Sequence, residues 1–301
     1  MSAHRPALFV SVRFVCLFFA SVLLAETGLH AVTPKVDARL LNAVSDLPVA
    51  KSEKPPESDY LIDARPFVAS VTRSKDGREL ILSNGLIRRV WRLSPNGACV
   101  AFDNLMTGQA MLRSVRPEAR LTIDGKPFDV GGLVGQPNHA FLLPEWLESM
   151  KADPQAMRLI GFDIGKPAER IAWGRRRRAA SDATWPPKGA YLRMDYALAS
   201  ETEDGIGGKS SVRVSAHYEL YDGVPVISKW ITVHNLGDRP ITVDRFTSEE
   251  LAVVEHSNPI ETRPGATLPR PDYLHVETDF AFGGFAPSPA NRHVVHWKTD
   301  P

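Results

Sequence analysis

Between Ser210 and Asn235 apolar and polar residues alternate one by one. Val212, Val214, Ala216, Tyr218 and Leu220 share one side, and Arg213, Ser215, His217 and Glu219 share the other. That is the rhythm of a strand whose two faces meet different surroundings. Asp222-Gly223 follows, a pair that supplies the positive φ angles of a tight reversal, and a second arm runs on to Asn235. A two-residue turn at this point sets Val212 opposite Val233, Val214 opposite Ile231 and Tyr218 opposite Ile227, so apolar meets apolar. A slip of one residue would exchange the faces. Lys229, opposite Ala216 in that register, is the one misfit, and Pro225 restricts hydrogen bonding beside the turn.

The same reading extends along the chain. Turn dipeptides recur at Asp76-Gly77, Asn84-Gly85, Asn96-Gly97 and Asp124-Gly125. Strands are expected at Glu79–Ser83, Leu86–Leu93, Ala98–Asp103, Ala119–Asp124, Gly189–Ala199, Ile241–Thr247 and His275–Phe280. Helical period is nearly absent; Pro144 to Met157 offers the one short helix. A long loop, about Gly161 to Lys188, carries Arg175-Arg-Arg-Arg178, Trp173 and Trp185. The expectation is an all-β chain of packed antiparallel sheets with one short helix and a long loop insertion.

Residues 1–31 read as a secretory signal: Arg5 and Arg13 flank an apolar run from Phe14 to Ala25, and small residues stand at Ala25 and Ala31. The run is shorter than the roughly 20 residues that span a bilayer, so membrane contact is expected only if the segment stays uncleaved. The predicted location is secreted or periplasmic. Residues 32–65, rich in Pro, Ser, Lys and Glu, read as a flexible linker, and 66–301 as the folded domain. Lys and Arg number 36 against 35 Asp and Glu, and removing 1–31 would leave a neutral chain. Bulk charge therefore does not drive nucleic-acid binding. Without Cys16 only Cys99 remains, which excludes an internal disulfide; its apolar neighbours make it a small buried hydrophobe.

Reactive constellations are sparse. His293 and His296 stand three apart, on opposite faces of a strand, and make no metal pair. In the register above, His217 faces Ser228, about 20 Å along the strand from His234. Glu249 and Glu250 diverge if they lie in a strand, and Asp244 and Glu255 have no identifiable opposite carboxylate at glycosidase separation; solvated positions are expected for all four. Nucleotide loops, nucleophile elbows and zinc spacings do not occur, so no catalytic residue, metal ligand or cofactor is assigned. Aromatic planes are the better prospect. Trp230, on the polar side of its hairpin, and the loop residues Trp173 and Trp185 are the candidate carbohydrate contacts, against the alternative of indoles packed beneath a loop.

Taken together, Leu82-Ser-Asn-Gly-Leu-Ile-Arg-Arg-Val90, Asp103-Asn-Leu-Met-Thr-Gly108 and Tyr218-Glu-Leu-Tyr-Asp-Gly-Val-Pro-Val-Ile-Ser-Lys-Trp230 with His234-Asn235 resemble the N-terminal β-supersandwich of the family 36 glycoside hydrolases, the α-galactosidase-like enzymes. The resemblance spans roughly residues 75–300. It implies the fold of the galactose mutarotases, a galactoside-like glycan as ligand, and a catalytic (β/α)₈ barrel as partner carrying two Asp residues. That family's Lys-Trp-Asp nucleophile motif is absent, and the chain stops about where the barrel would begin. The expected role is a non-catalytic domain bordering such a barrel. A mutarotase-like epimerase using His217 and Glu255, and a free-standing glycan-binding module, are the alternatives.

Overall fold

Turn chemistry and two-residue alternation build an antiparallel, all-β, sandwich-like architecture. The computed structural model describes residues 38–170, 184–198, 211–253, 273–277 and 294–298. One helix, α1 (Ala38–Ser45), precedes the strands. There follow β1 (Ser70–Arg73), β2 (Glu79–Ser83), β3 (Ile87–Arg92), β4 (Ala98–Asn104), β5 (Gln109–Ala110), β6 (Leu112–Ser114), β7 (Ala119–Ile123) and β8 (Lys126–Val130). After a 3-10 turn at Pro144–Glu148 come β9 (Arg158–Gly165), β10 (Gly189–Ala197), β11 (Val212–Tyr221), β12 (Ile227–Asn235), β13 (Val243–Thr247), β14 (Ala252–Val253), β15 (Tyr273–Glu277) and β16 (Val294–Lys298).

Strands β1 to β5 form a meander in chain order, and a second sheet runs β12-β11-β10-β9. A three-stranded sheet, β13-β7-β8, and the pairs β14-β6 and β15-β16 complete the set. Leu80, Leu82 and Trp91 from the first sheet meet Leu192, Met194, Tyr196, Val214, Tyr218 and Leu220 from the second in one core that also takes Leu121 and Ile123 of β7. Side chains of this size contribute about 1.5–3 kcal/mol each when fully buried. The Trp91 and Tyr218 rings touch at 4.6 Å between centroids and hold the two sheets face to face.

Five expectations change. The Asp222-Gly223 hairpin closes through a longer loop, because these residues serve tertiary contacts: the Asp222 carboxylate accepts from Ala69 N–H, and Gly223 N–H donates to Phe67 O. The register moves by two residues, to Val214 opposite Val233, Ala216 opposite Ile231, Tyr218 opposite Lys229 and His217 opposite Trp230. An even shift keeps each side chain on its face, which is why the hydrophobic pattern could not detect it. The Asp124-Gly125 turn, by contrast, is the two-residue reversal expected, joining Ile123 to Lys126 with positive φ at both turn residues.

The loop expected from Gly161 begins instead with β9. Ile160 bulges out opposite the Asp195/Tyr196 step, so Leu159 and then Phe162 and Ile164 face inward, and the strict period is lost at that point. The segment Pro144 to Met157 is helical only over Pro144–Glu148. Within residues 32–65, expected to be a flexible linker, lies α1, whose Leu40 and Val44 enter the core. Beyond the helix, Ala50 N–H bonds to Arg73 O, and Glu53 pairs with Arg88 at 3.4 Å. The signal segment lies outside the described residues. Among those residues no helix is long and apolar enough to cross a membrane.

Candidate functional site

The second sheet packs one face in the main core and sets the other as a grid of four rows across β9, β10, β11 and β12, in which Asp195, Ala197, Ser215, His217 and Glu219 are themselves buried. The rows read Gly165-Tyr191-Glu219-Ser228, Asp163-Arg193-His217-Trp230, Gly161-Asp195-Ser215-Thr232 and Arg158-Ala197-Arg213-His234. Polar side chains dominate because the period of two places the apolar partners of each strand on the opposite face.

His217 sits at the centre and is only 8% exposed. Its Nδ1 lies 2.7 Å from the Tyr191 hydroxyl and its Nε2 2.8 Å from Thr232 Oγ1, which in turn lies 3.1 Å from His234 Nε2. The corrected register thus replaces the expected 20 Å separation of His217 and His234 with a shared hydroxyl. Burial, with Arg193 adding to it, pushes the His217 pKa down to about 4. A neutral ring holds one N–H, so of its two hydroxyl partners one donates to it and the other receives from it.

Trp230 stacks on His217, with centroids 4.9 Å apart and planes within 4°. The Arg170 guanidinium lies 3.7 Å from the centroid of the same indole. Two planar groups at those distances cannot share one side of a ring, so they cover opposite faces, and a sugar would stack on Trp230 only where Arg170 swings aside. Arg170 also pairs with Glu219 at 3.2 Å, and Glu219 accepts from the Tyr221 hydroxyl. Asp195 accepts from Arg193 Nε at 3.1 Å and from the Ser215 hydroxyl at 2.6 Å, and Asp163 stands 3.6 Å from the same guanidinium.

Of the other candidates, Trp185 is exposed at the start of the strand pair. Trp173, the Arg175–Arg178 run, Glu255 and His293 lie outside the described residues. His296 is paired with His275 across β15 and β16 in the backbone register. Glu250 binds Arg120 at 2.9 Å on the surface. Glu249 departs from expectation: it sits in the loop after β13, not in a strand, and enters a buried ionic cluster.

In the sequence only the misfit of Lys229 points to that cluster. Arg89 of β3 and Lys229 of β12 face Glu118 and Glu249. Glu118 is 1% exposed; it accepts from Cys99 N–H at 2.7 Å, from Trp91 Nε1 at 3.3 Å and from the Tyr218 hydroxyl. Burial alone would raise the Glu249 pKa, but Arg89 and then Lys229 outweigh it and hold the carboxyl below its ordinary value. Burial also pushes the Cys99 thiol up to about 12, in keeping with the expected inert role. Among the described residues, no three His, Cys, Asp or Glu side chains converge as a metal site. Family models, curated proteins and solved structures were compared with the chain, and none matches.

Proposed function

We propose that this chain is a non-catalytic β-supersandwich module of an exported α-galactosidase-like glycoside hydrolase. Its outward sheet face borders the substrate cleft of a catalytic barrel, and its partners are that barrel and a galactoside-like glycan. The observation that carries the reading is the mutual engagement of the acid–base groups on the face. Arg193 fills the space between Asp163 and Asp195, where a scissile oxygen would have to sit. Glu219 stands four residues along β11 from the partner of Asp195, about 14 Å away and beyond the 5–10 Å that glycosidase carboxyl pairs require. The residues of the family resemblance support it too, since Arg89, Tyr218 and Lys229 all build the buried cluster that joins the sheets.

Purified chain incubated with aryl α-galactosides is expected to give no turnover. Mixed with a barrel from an enzyme of that family lacking its own N-terminal domain, it is expected to co-elute as a stoichiometric complex. Turnover by the chain alone that disappears in Asp195→Asn refutes the reading. A mutarotase-like epimerase draws support from the His217–Thr232–His234 chain, which offers two imidazoles on one face. Polarimetry on freshly dissolved galactose distinguishes the two: under the module reading the chain leaves the rate of anomer interconversion unchanged.

A further inference from the structure

The last row of the outward face differs from the other three. In those rows each charged side chain has a partner of opposite sign: Arg170 with Glu219, and Arg193 with Asp163 and Asp195. In the row Arg158-Ala197-Arg213-His234 two half-buried arginines flank an alanine with a histidine beside them, and among the described residues neither arginine meets a carboxylate. The Arg213 Nε is buried with no hydrogen-bond partner. The nearest acid by register, Asp195, is turned to Arg193 and the Ser215 hydroxyl. A buried donor atom left without a partner carries a cost that proteins normally offset.

Space is available beside it. Gly161 leads the adjoining row on the same face, and a Cβ placed there would meet nothing within 4 Å. Ala197, small and itself buried, separates the two arginines on the central strand. Arg158 and Arg213 stand two strand spacings apart, about 10 Å, so their long arms can close on one group between them. A guanidinium fork matches the paired oxygens of a carboxylate or the face of a sulfate, and two forks on one group add specificity.

We infer that Arg158, Arg213 and His234 form an oxyanion site that holds the acidic group of a charged sugar, a uronate carboxylate or a sulfate ester, with the sugar ring lying over Ala197 and Gly161. The oxyanion site stands on its own geometry; the sugar that carries the group rests on the carbohydrate reading above.

Calorimetric titration of the full chain tests it with inorganic sulfate, galacturonate, galactose 6-sulfate and galactose as separate ligands. Saturable binding of sulfate and of at least one acidic sugar is expected, with none for neutral galactose; the stronger of the two acidic sugars identifies the source of the group. Arg213→Gln and Arg158→Gln should each weaken binding at least tenfold, while Arg120→Gln, on the three-stranded sheet, leaves it unchanged. Arg213→Gln should melt no lower than the parent, since among the described residues the charge it removes meets no carboxylate; a lower midpoint marks a structural arginine and overturns the site. Gly161→Leu should block the acidic sugars and spare inorganic sulfate. Absence of binding for every oxyanion overturns the inference, and sulfate binding without any acidic sugar overturns the sugar assignment. No barrel enters the titration, so a failure to pair with a barrel leaves this result standing.

Discussion

Replacing Glu118 with Gln is expected to be among the most damaging conservative changes in this chain. Glu118 is 1% exposed and lies within 3.6 Å of both Arg89 and Lys229. The amide keeps the size of the side chain but leaves two buried cations sharing Glu249 alone. It also brings an NH2 group against Trp91 Nε1–H or Cys99 N–H, so one donor faces another. Removing one partner of a buried ionic group costs about 3–5 kcal/mol. For a domain of this size each kcal/mol moves the melting midpoint by about 2–4 °C, so the midpoint should fall by about 6–20 °C. Urea titration followed by tryptophan fluorescence measures the free energy, and thermal circular dichroism the midpoint. Lys229→Met added to Glu118→Gln should recover part of the loss, with a coupling of about 0.5–3 kcal/mol. A loss below about 1 kcal/mol, the range of exposed ion pairs, refutes the reasoning and places water around the cluster.

Asn84 is 3% exposed and donates to Tyr221 O and Val224 O while accepting from Leu86 and Ile87 N–H. Asn84→Ala should therefore cost about 2–4 kcal/mol in urea titration, and a change under about 0.5 kcal/mol would refute the count of buried bonds. The depressed pKa of His217 makes stability pH-dependent with a definite sign: the unfolded imidazole takes up its proton near 6.5, the folded one only near 4. Stability is full above pH 6.5 and falls between there and about 4 by up to about 3 kcal/mol; His217→Gln should flatten that window, and a superimposable profile in the variant contradicts the assignment. In a Cys16→Ser chain, Ellman's reagent should find Cys99 unreactive when folded and titrate one thiol in denaturant; rapid reaction of the folded protein would show that the thiol is not sealed.

The all-β architecture was legible because alternation and turn dipeptides are local signals. Glu79–Ser83 appears as β2 with those bounds, and Gly189–Ala199 as β10 with its end at Ala197. What failed was non-local. The Asp222-Gly223 loop is lengthened by bonds to Ala69 and Phe67, more than 150 residues away, and nothing in the hairpin announces them. The bulge at Ile160 hid β9, and with it the fourth column of the outward face. Alternation alone puts Trp230 on the face away from the core, but its covering by His217 depends on a two-residue shift, and its covering by Arg170 on a loop contact. Glu118 carried no signal at all, since an isolated Glu between Pro117 and Ala119 resembles any surface acid. Lys229, a cation on an apolar face, was the visible trace of the cluster that contains it.

Lys229 also tells strand β12 where to stop. Hydrophobic alternation accepts alignments two residues apart equally well, and on the core side of the strand the ammonium, opposite Tyr218 and 3.0 Å from Glu249, separates them. Moved two places either way, it would lie against Ala216 or Leu220 with its carboxylates out of reach. The buried charges thus serve as a notch and key for strand alignment, and a chain refilled with greasy residues at Arg89, Glu118 and Lys229 would gain permission to zip up in more than one frame.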